Sequence, residues 1–172
     1  MSRLIRAFAR TVTSINKLLF WLAAALMAII VPSMMAEVIS RYVFNAPTVW
    51  GMELAVLTFG PYFLLGGPYL LHVGGHVNMD LLHARMAPRV RRAFDILNQL
   101  VILFFCAVLL YYAVPLVLQS IEYRETTFSA WNPPIWPFKI AVPASLVLLG
   151  LQSLAELAWI ALGDGEAQGQ PA

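Results

Sequence analysis

Four long apolar runs dominate the chain, at about residues 18–40, 49–71, 94–118 and 138–162, and the charged and turn-forming residues collect between them. Each run supplies the ~20 helical residues that cross a ~30 Å hydrocarbon core, so each predicts a transmembrane helix. The pattern therefore predicts an all-α fold, an integral membrane four-helix bundle, with residues 1–172 as a single membrane domain. Ahead of the first run, residues 2–17 segregate when wound as a helix. Leu4, Ile5, Phe8, Val12 and Ile15 fall on one side, and Arg3, Arg6, Arg10 and Lys17 on the other. This predicts an N-terminal amphipathic helix over residues 1–17, lying in the headgroup layer with its cations toward anionic lipid. The plainer alternative is a basic flank that orients the first span. Past the small residue Ala36 the helical pattern continues, which argues for a span rather than a cleaved leader.

Proline and glycine punctuate these runs. Pro32 lies inside the first and should bend it. Pro47 removes a backbone donor and disfavours α geometry at Ala46, so one helix should end near Asn45 and the next begin near Thr48. Gly60-Pro61 and Gly66-Gly67-Pro68 interrupt the second run. They read either as kinks in a scaffold helix or as a broken helix lining a transport site. Beyond it, Asp80 is placed to cap a short cytoplasmic helix over 81–86, which Pro88 would stop. Residues 119–137 form a Pro- and Trp-rich hairpin in which Trp131 and Trp136 sit at the interface, and residues 163–172 form a polar tail expected to be disordered.

Between the first two spans, residues 41–53 read Arg-Tyr-Val-Phe-Asn-Ala-Pro-Thr-Val-Trp-Gly-Met-Glu. The chain leaves lipid, reverses and re-enters there, with Tyr42, Phe44 and Trp50 suited to the boundary. Glu37 and Arg41 are one helical turn apart, and Glu53 stands across the hairpin, so a Glu37–Arg41–Glu53 cluster is expected to register the two legs. Asn45 and Trp50 complete that tip. On the third span Asp95, Asn98 and Gln99 share one face; with Gln152 on the fourth they are candidate contacts to a partner subunit. His72, His76 and His83 invite a metal or haem reading. Gly74-Gly75 breaks the helical spacing of the first pair, no Glu follows His72 as a zincin requires, and no span interior carries a histidine.

Composition narrows this further. The chain is 60% hydrophobic and 12% charged, against about 25% charged in soluble domains. One cysteine, Cys106, leaves no disulfide or Cys-based metal cluster, and no phosphate loop or basic nucleic-acid patch is present, so nucleic acid is not an expected partner and membrane lipid is. Basic residues gather before the first span and at Arg85, Arg89, Arg91 and Arg92, which by the positive-inside rule puts both termini in the cytoplasm. Helical rise then sets depths: Glu37 lies about 30 Å from Lys17, near the outer boundary, and Glu156 about 27 Å into the fourth span, near the inner one. No carboxylate, histidine, Lys or Arg is left for the middle of the bilayer, where an ion or proton pathway would need one. A polypeptide of this kind is not expected to move a charged solute alone, and nothing in it predicts an enzyme.

Several of these segments together resemble a known family. Arg41-Tyr-Val-Phe-Asn45-Ala-Pro47, Trp50-Gly-Met-Glu53, Gly75-His76-Val-Asn-Met-Asp80-Leu-Leu and Trp136-Pro-Phe-Lys-Ile-Ala-Val-Pro143, with the later Leu151-Gln152-Ser153-Leu154, look like the small permease subunit of tripartite ATP-independent periplasmic (TRAP) transporters. The resemblance implies a bacterial inner-membrane scaffold that supports a large permease subunit, while a periplasmic solute-binding protein delivers an organic anion such as a carboxylate. Uptake would be sodium-coupled, with the sodium on the large subunit and no cofactor on this one. Arg41, Asn45, Trp50 and Glu53 would shape the outer hairpin, and His76 and Asp80 the cytoplasmic turn. The competing expectation is an autonomous dimeric four-span exporter using Glu37 or Glu53 as its proton-coupling acid.

Overall fold

The computed structural model of the chain describes residues 2–73 and 88–162, so His76, Asp80, the helix expected at 81–86 and the tail at 163–172 lie outside the described residues. The described chain is helical almost throughout: α1 (Ser2–Tyr42), α2 (Gly51–His72), α3 (Pro88–Glu122), the single turn α4 (Trp136–Lys139) and α5 (Ala141–Leu162). Four stretches are long and apolar enough to cross a membrane, Ile5–Tyr42, Gly51–His72, Arg89–Glu122 and Trp136–Ala161. The chain is thus an all-α membrane bundle of four spans. α5 is its axis, packing against α1, α2 and α3, while α1 and α2 also lie along one another.

A heptad stripe organises the packing. On α1 the buried residues Ala9, Asn16, Ala23, Ile30 and Glu37 recur at every seventh position, with Val12 and Ser33 between them. On α3, Gln99, Cys106 and Ser120 are buried at multiples of the same spacing. A seven-residue repeat keeps one seam facing a neighbour along its whole length, so each helix can be apolar all round and still have a defined inner edge. Where α1 crosses α5, Ala9, Val12, Ala155 and Trp159 form an apolar cluster edged by Leu151. The alanines let the helices approach and the indole fills the gap.

The first 17 residues are not set off from the first span by any break. They continue α1 without interruption, because no Gly or Pro separates Ser2 from Val31, and Ala9, Val12 and Asn16 are used against α5. At Pro32 the helix also continues. The adjacent Ser33 hydroxyl donates to the Ile29 and Ile30 carbonyls at 2.8 and 2.9 Å, a local closure beside the donor the proline lacks. α2 likewise runs through Pro61 and Pro68 as one continuous helix, with Pro68 fully buried, rather than as a broken one. Pro88 is the first described residue of α3.

Candidate functional site

The structure concentrates its polar side chains in two layers. In the tip between α1 and α2, the Glu37 carboxylate, on the inner edge of α1, accepts from Arg41 Nε at 3.1 Å and Nη2 at 2.5 Å. From the other leg the Thr48 backbone N–H donates to it at 3.1 Å, and so does the Thr48 hydroxyl. That hydroxyl in turn accepts the Gly51 N–H at 3.3 Å. One buried carboxylate therefore closes the hairpin and faces the N-terminus of α2, where the helix dipole favours negative charge. Trp50 stands at the N-cap but makes no side-chain cap bond; Thr48, itself held by Glu37, supplies that function to the Gly51 N–H. A Cβ on Gly51 would lie 2.9 Å from Thr48 Oγ1 and 3.1 Å from Glu37 Cβ, so only glycine allows this approach. Asn45 holds the turn itself in the left-handed region, φ 52°, a conformation asparagine tolerates better than most residues.

Glu53 does not join this cluster. Its position at the start of α2 points it away from Arg41, and it accepts from Ser129 of the 123–135 connection at 2.7 Å. The expected Glu37–Arg41–Glu53 triad is thus a pair completed by Thr48, while Glu53 ties the two connections of that end together. A second carboxylate organises the longer connection. Glu125 accepts from Lys139 Nζ at 2.5 Å and Ser120 Oγ at 2.6 Å. The Lys139 bond, then the Ser120 bond, hold its carboxyl below the usual carboxylate range.

The second layer lies at the other end of the bundle and is centred on α5. Gln152 Oε1 accepts from Asn16 Nδ2 at 2.8 Å, and Gln152 Nε2 donates to Glu156 at 2.8 Å and Thr13 at 3.2 Å. Glu156 meets His72 Nδ1, on the last residue of α2, at 2.6 Å. On the neighbouring face, Ser153 donates to the Gln99 side chain and carbonyl at 2.8 and 3.0 Å. Arg92 donates to the Ile160 carbonyl at 2.9 Å, bringing a cation to the last described turn of α5, which has none of its own. One face of α5 thereby pins α1 and α2, and its neighbouring face pins α3.

Gln99 and Gln152, expected on a partner surface, are buried and bonded inside the chain instead. Apolar neighbours on all sides make the interior the place where an amide finds a second amide. Of the other two candidates, Asn98 is exposed and Asp95 half-buried. Arg41, Asn45 and Trp50 are all exposed at the tip, whereas Glu37 is buried. Sequence reasoning missed Thr13, Asn16, Thr48, Ser153 and the His72–Glu156 pair. The signal for Asn16 was there: it shares the seven-residue spacing of Ala9, Ala23, Ile30 and Glu37. Among the described residues no three His, Cys, Asp or Glu side chains converge as a metal site. What the geometry provides is mechanical, two polar clamps that fix four helices at both ends.

Two comparisons bear on this arrangement. A family model described as tripartite ATP-independent periplasmic transporters, DctQ component, matches residues 30–162. The chain is also similar to the sialic acid TRAP transporter permease protein SiaT of Haemophilus influenzae, at 35% identity over 92 residues. That match takes in 54% of the chain and 15% of the relative, so the chain spans a small part of its relative's length.

Proposed function

The chain belongs to the DctQ components of the tripartite ATP-independent periplasmic transporters, and from that premise we propose that it is the static scaffold subunit on which a large permease subunit carries out sodium-coupled uptake of an organic anion. It is a small membrane subunit of a transporter, multi-pass in the inner membrane. The observation that carries the scaffold reading is the placement of charge. No Asp, Glu, His, Lys or Arg lies on α1 between Lys17 and Glu37, on α2 between Glu53 and His72, on α3 between Asp95 and Glu122, or on α5 between Lys139 and Glu156. A transported anion or its coupling ion is ordinarily met at mid-depth by ionisable side chains, and these would have to come from another polypeptide.

In this reading both termini and the Arg92 end of α3 face the cytoplasm, where the excess of arginine belongs. The Glu37 tip and the 123–135 connection face the periplasm, and the solute-binding protein docks from that side. The substrate is a carboxylate; the similarity to a sialic acid permease supports an acidic sugar or a comparable organic acid, and the chain itself holds no substrate, sodium or cofactor. The test is co-purification. Membranes co-expressing the chain with its co-encoded large permease should yield both proteins from a tag on either one. Recovery of the chain alone, as a homodimer, would overturn the subunit reading.

A further inference from the structure

We infer that the face of α3 turned away from α5, centred on Tyr111 and Tyr112, is the seat of a transmembrane helix of the large permease, one that brings hydrogen-bonding side chains to mid-membrane. The inference rests on the subunit reading above and says where the partner sits. Tyr111 is 75% exposed and Tyr112 64% exposed, and their rings meet each other edge to face with centroids 5.2 Å apart. Neither phenol hydroxyl has a hydrogen-bond partner among the described residues.

Depth makes this costly in lipid. Ser120, on the same helix, bonds the charged Glu125–Lys139 cluster and so marks the nearer membrane boundary. Tyr111 lies about 14 Å from it along the helix axis, well within a ~30 Å hydrocarbon core. Helical side chains slant toward the N-terminus of their own helix, here toward Asp95 and away from Ser120, so the phenols cannot snorkel to that boundary. A third polar group joins them. Pro115 has no N–H to give to the Tyr111 carbonyl one turn back, and such a freed carbonyl is tolerated in membranes where a neighbour satisfies it. Two phenol hydroxyls, and one backbone carbonyl on the same stretch of α3, thus lie within a span where lipid offers no partner.

The face also has the form of a helix seat. Leu97, Phe104, Tyr111 and Leu118 are exposed at every seventh position, a second seam roughly opposite the Gln99–Cys106–Ser120 seam used against α5. By contrast, the exposed face of α2, with Met52, Val56, Phe59 and Phe63, is purely apolar and suits lipid. The large permease is favoured as occupant because the matched region makes up only 15% of the relative, a permease protein, so that in the relative this region and the remainder are one polypeptide that must pack in the same membrane.

The experiment places the photoreactive residue p-benzoylphenylalanine at position 111, or at the α2 position 63 as control, in the full chain co-expressed with the large permease in native membranes. The expected result is a covalent adduct with the permease from position 111 and not from position 63. Adducts only with lipid at 111, or an adduct of two copies of this chain, would overturn the assignment even while the two proteins still co-purify. Loss of co-purification itself would instead strike the subunit reading. The conservative Tyr111→Phe with Tyr112→Phe variant keeps both rings and should lower the permease retained in competing detergent about tenfold, at roughly threefold per lost hydrogen bond. Unchanged retention would also overturn the assignment.

Discussion

Gly51 has no room for a side chain, because the Glu37 carboxylate must reach the start of α2 across the space one would fill. Gly51→Ala should lower stability by about 1–3 kcal/mol, as overpacked sites do. Gly67→Ala, where an added Cβ meets nothing within 4 Å, should be neutral or gain up to about 1 kcal/mol from helix propensity. Unfolding of the two purified variants in mixed micelles measures both; equal losses would show that crowding at Glu37 is not the reason for glycine. Glu125 carries the pH prediction. Lys139 and Ser120 depress its pKa in the folded state, so its contribution is present above the ordinary carboxylate range and is lost as pH falls through the depressed value. Lys139→Met removes the larger cause. The acid transition of Trp131 fluorescence should therefore move to higher pH in that variant; a transition that stays where it was would separate Glu125 from the order of this connection.

Among the elements, α5 holds the others through a few amides and hydroxyls rather than through bulk. Asn16 and Gln152 are both fully buried and bonded across α1 and α5, a pairing that selects one register between two long, otherwise slippery apolar helices. Asn16→Leu and Gln152→Leu should each cost about 1–3 kcal/mol by stranding the other's polar group. The double variant should lose less than the two together, because neither group is then left unsatisfied. Strict additivity in a micelle unfolding cycle would deny the pair its role. These elements were unequally legible in the sequence. Four spans, the reversal at Pro47 and the Glu37–Arg41 pair follow from helix length, proline chemistry and one-turn spacing, all of them local. The partner of Glu53 was not legible, since Ser129 is brought to it only by the tertiary path of the second connection. Gln99 and Gln152 misled for the same reason. A polar residue in an apolar span announces that it needs a partner, and only the packing says whether that partner lies in the same chain.

For the whole molecule, the proposed scaffold role rests on polar clamps at the two ends and on spans whose described middles carry no Asp, Glu, His, Lys or Arg. The carboxylates that an autonomous exporter would need, Glu37 and Glu53, are engaged at the tip by Arg41 with Thr48 and by Ser129. The most direct measurement is uptake of a labelled organic acid into proteoliposomes under an inward sodium gradient, in the presence of the solute-binding protein. With this chain alone there should be no uptake above empty vesicles, and with the chain and its large permease together uptake should appear and depend on sodium. Uptake by the chain alone would contradict the account.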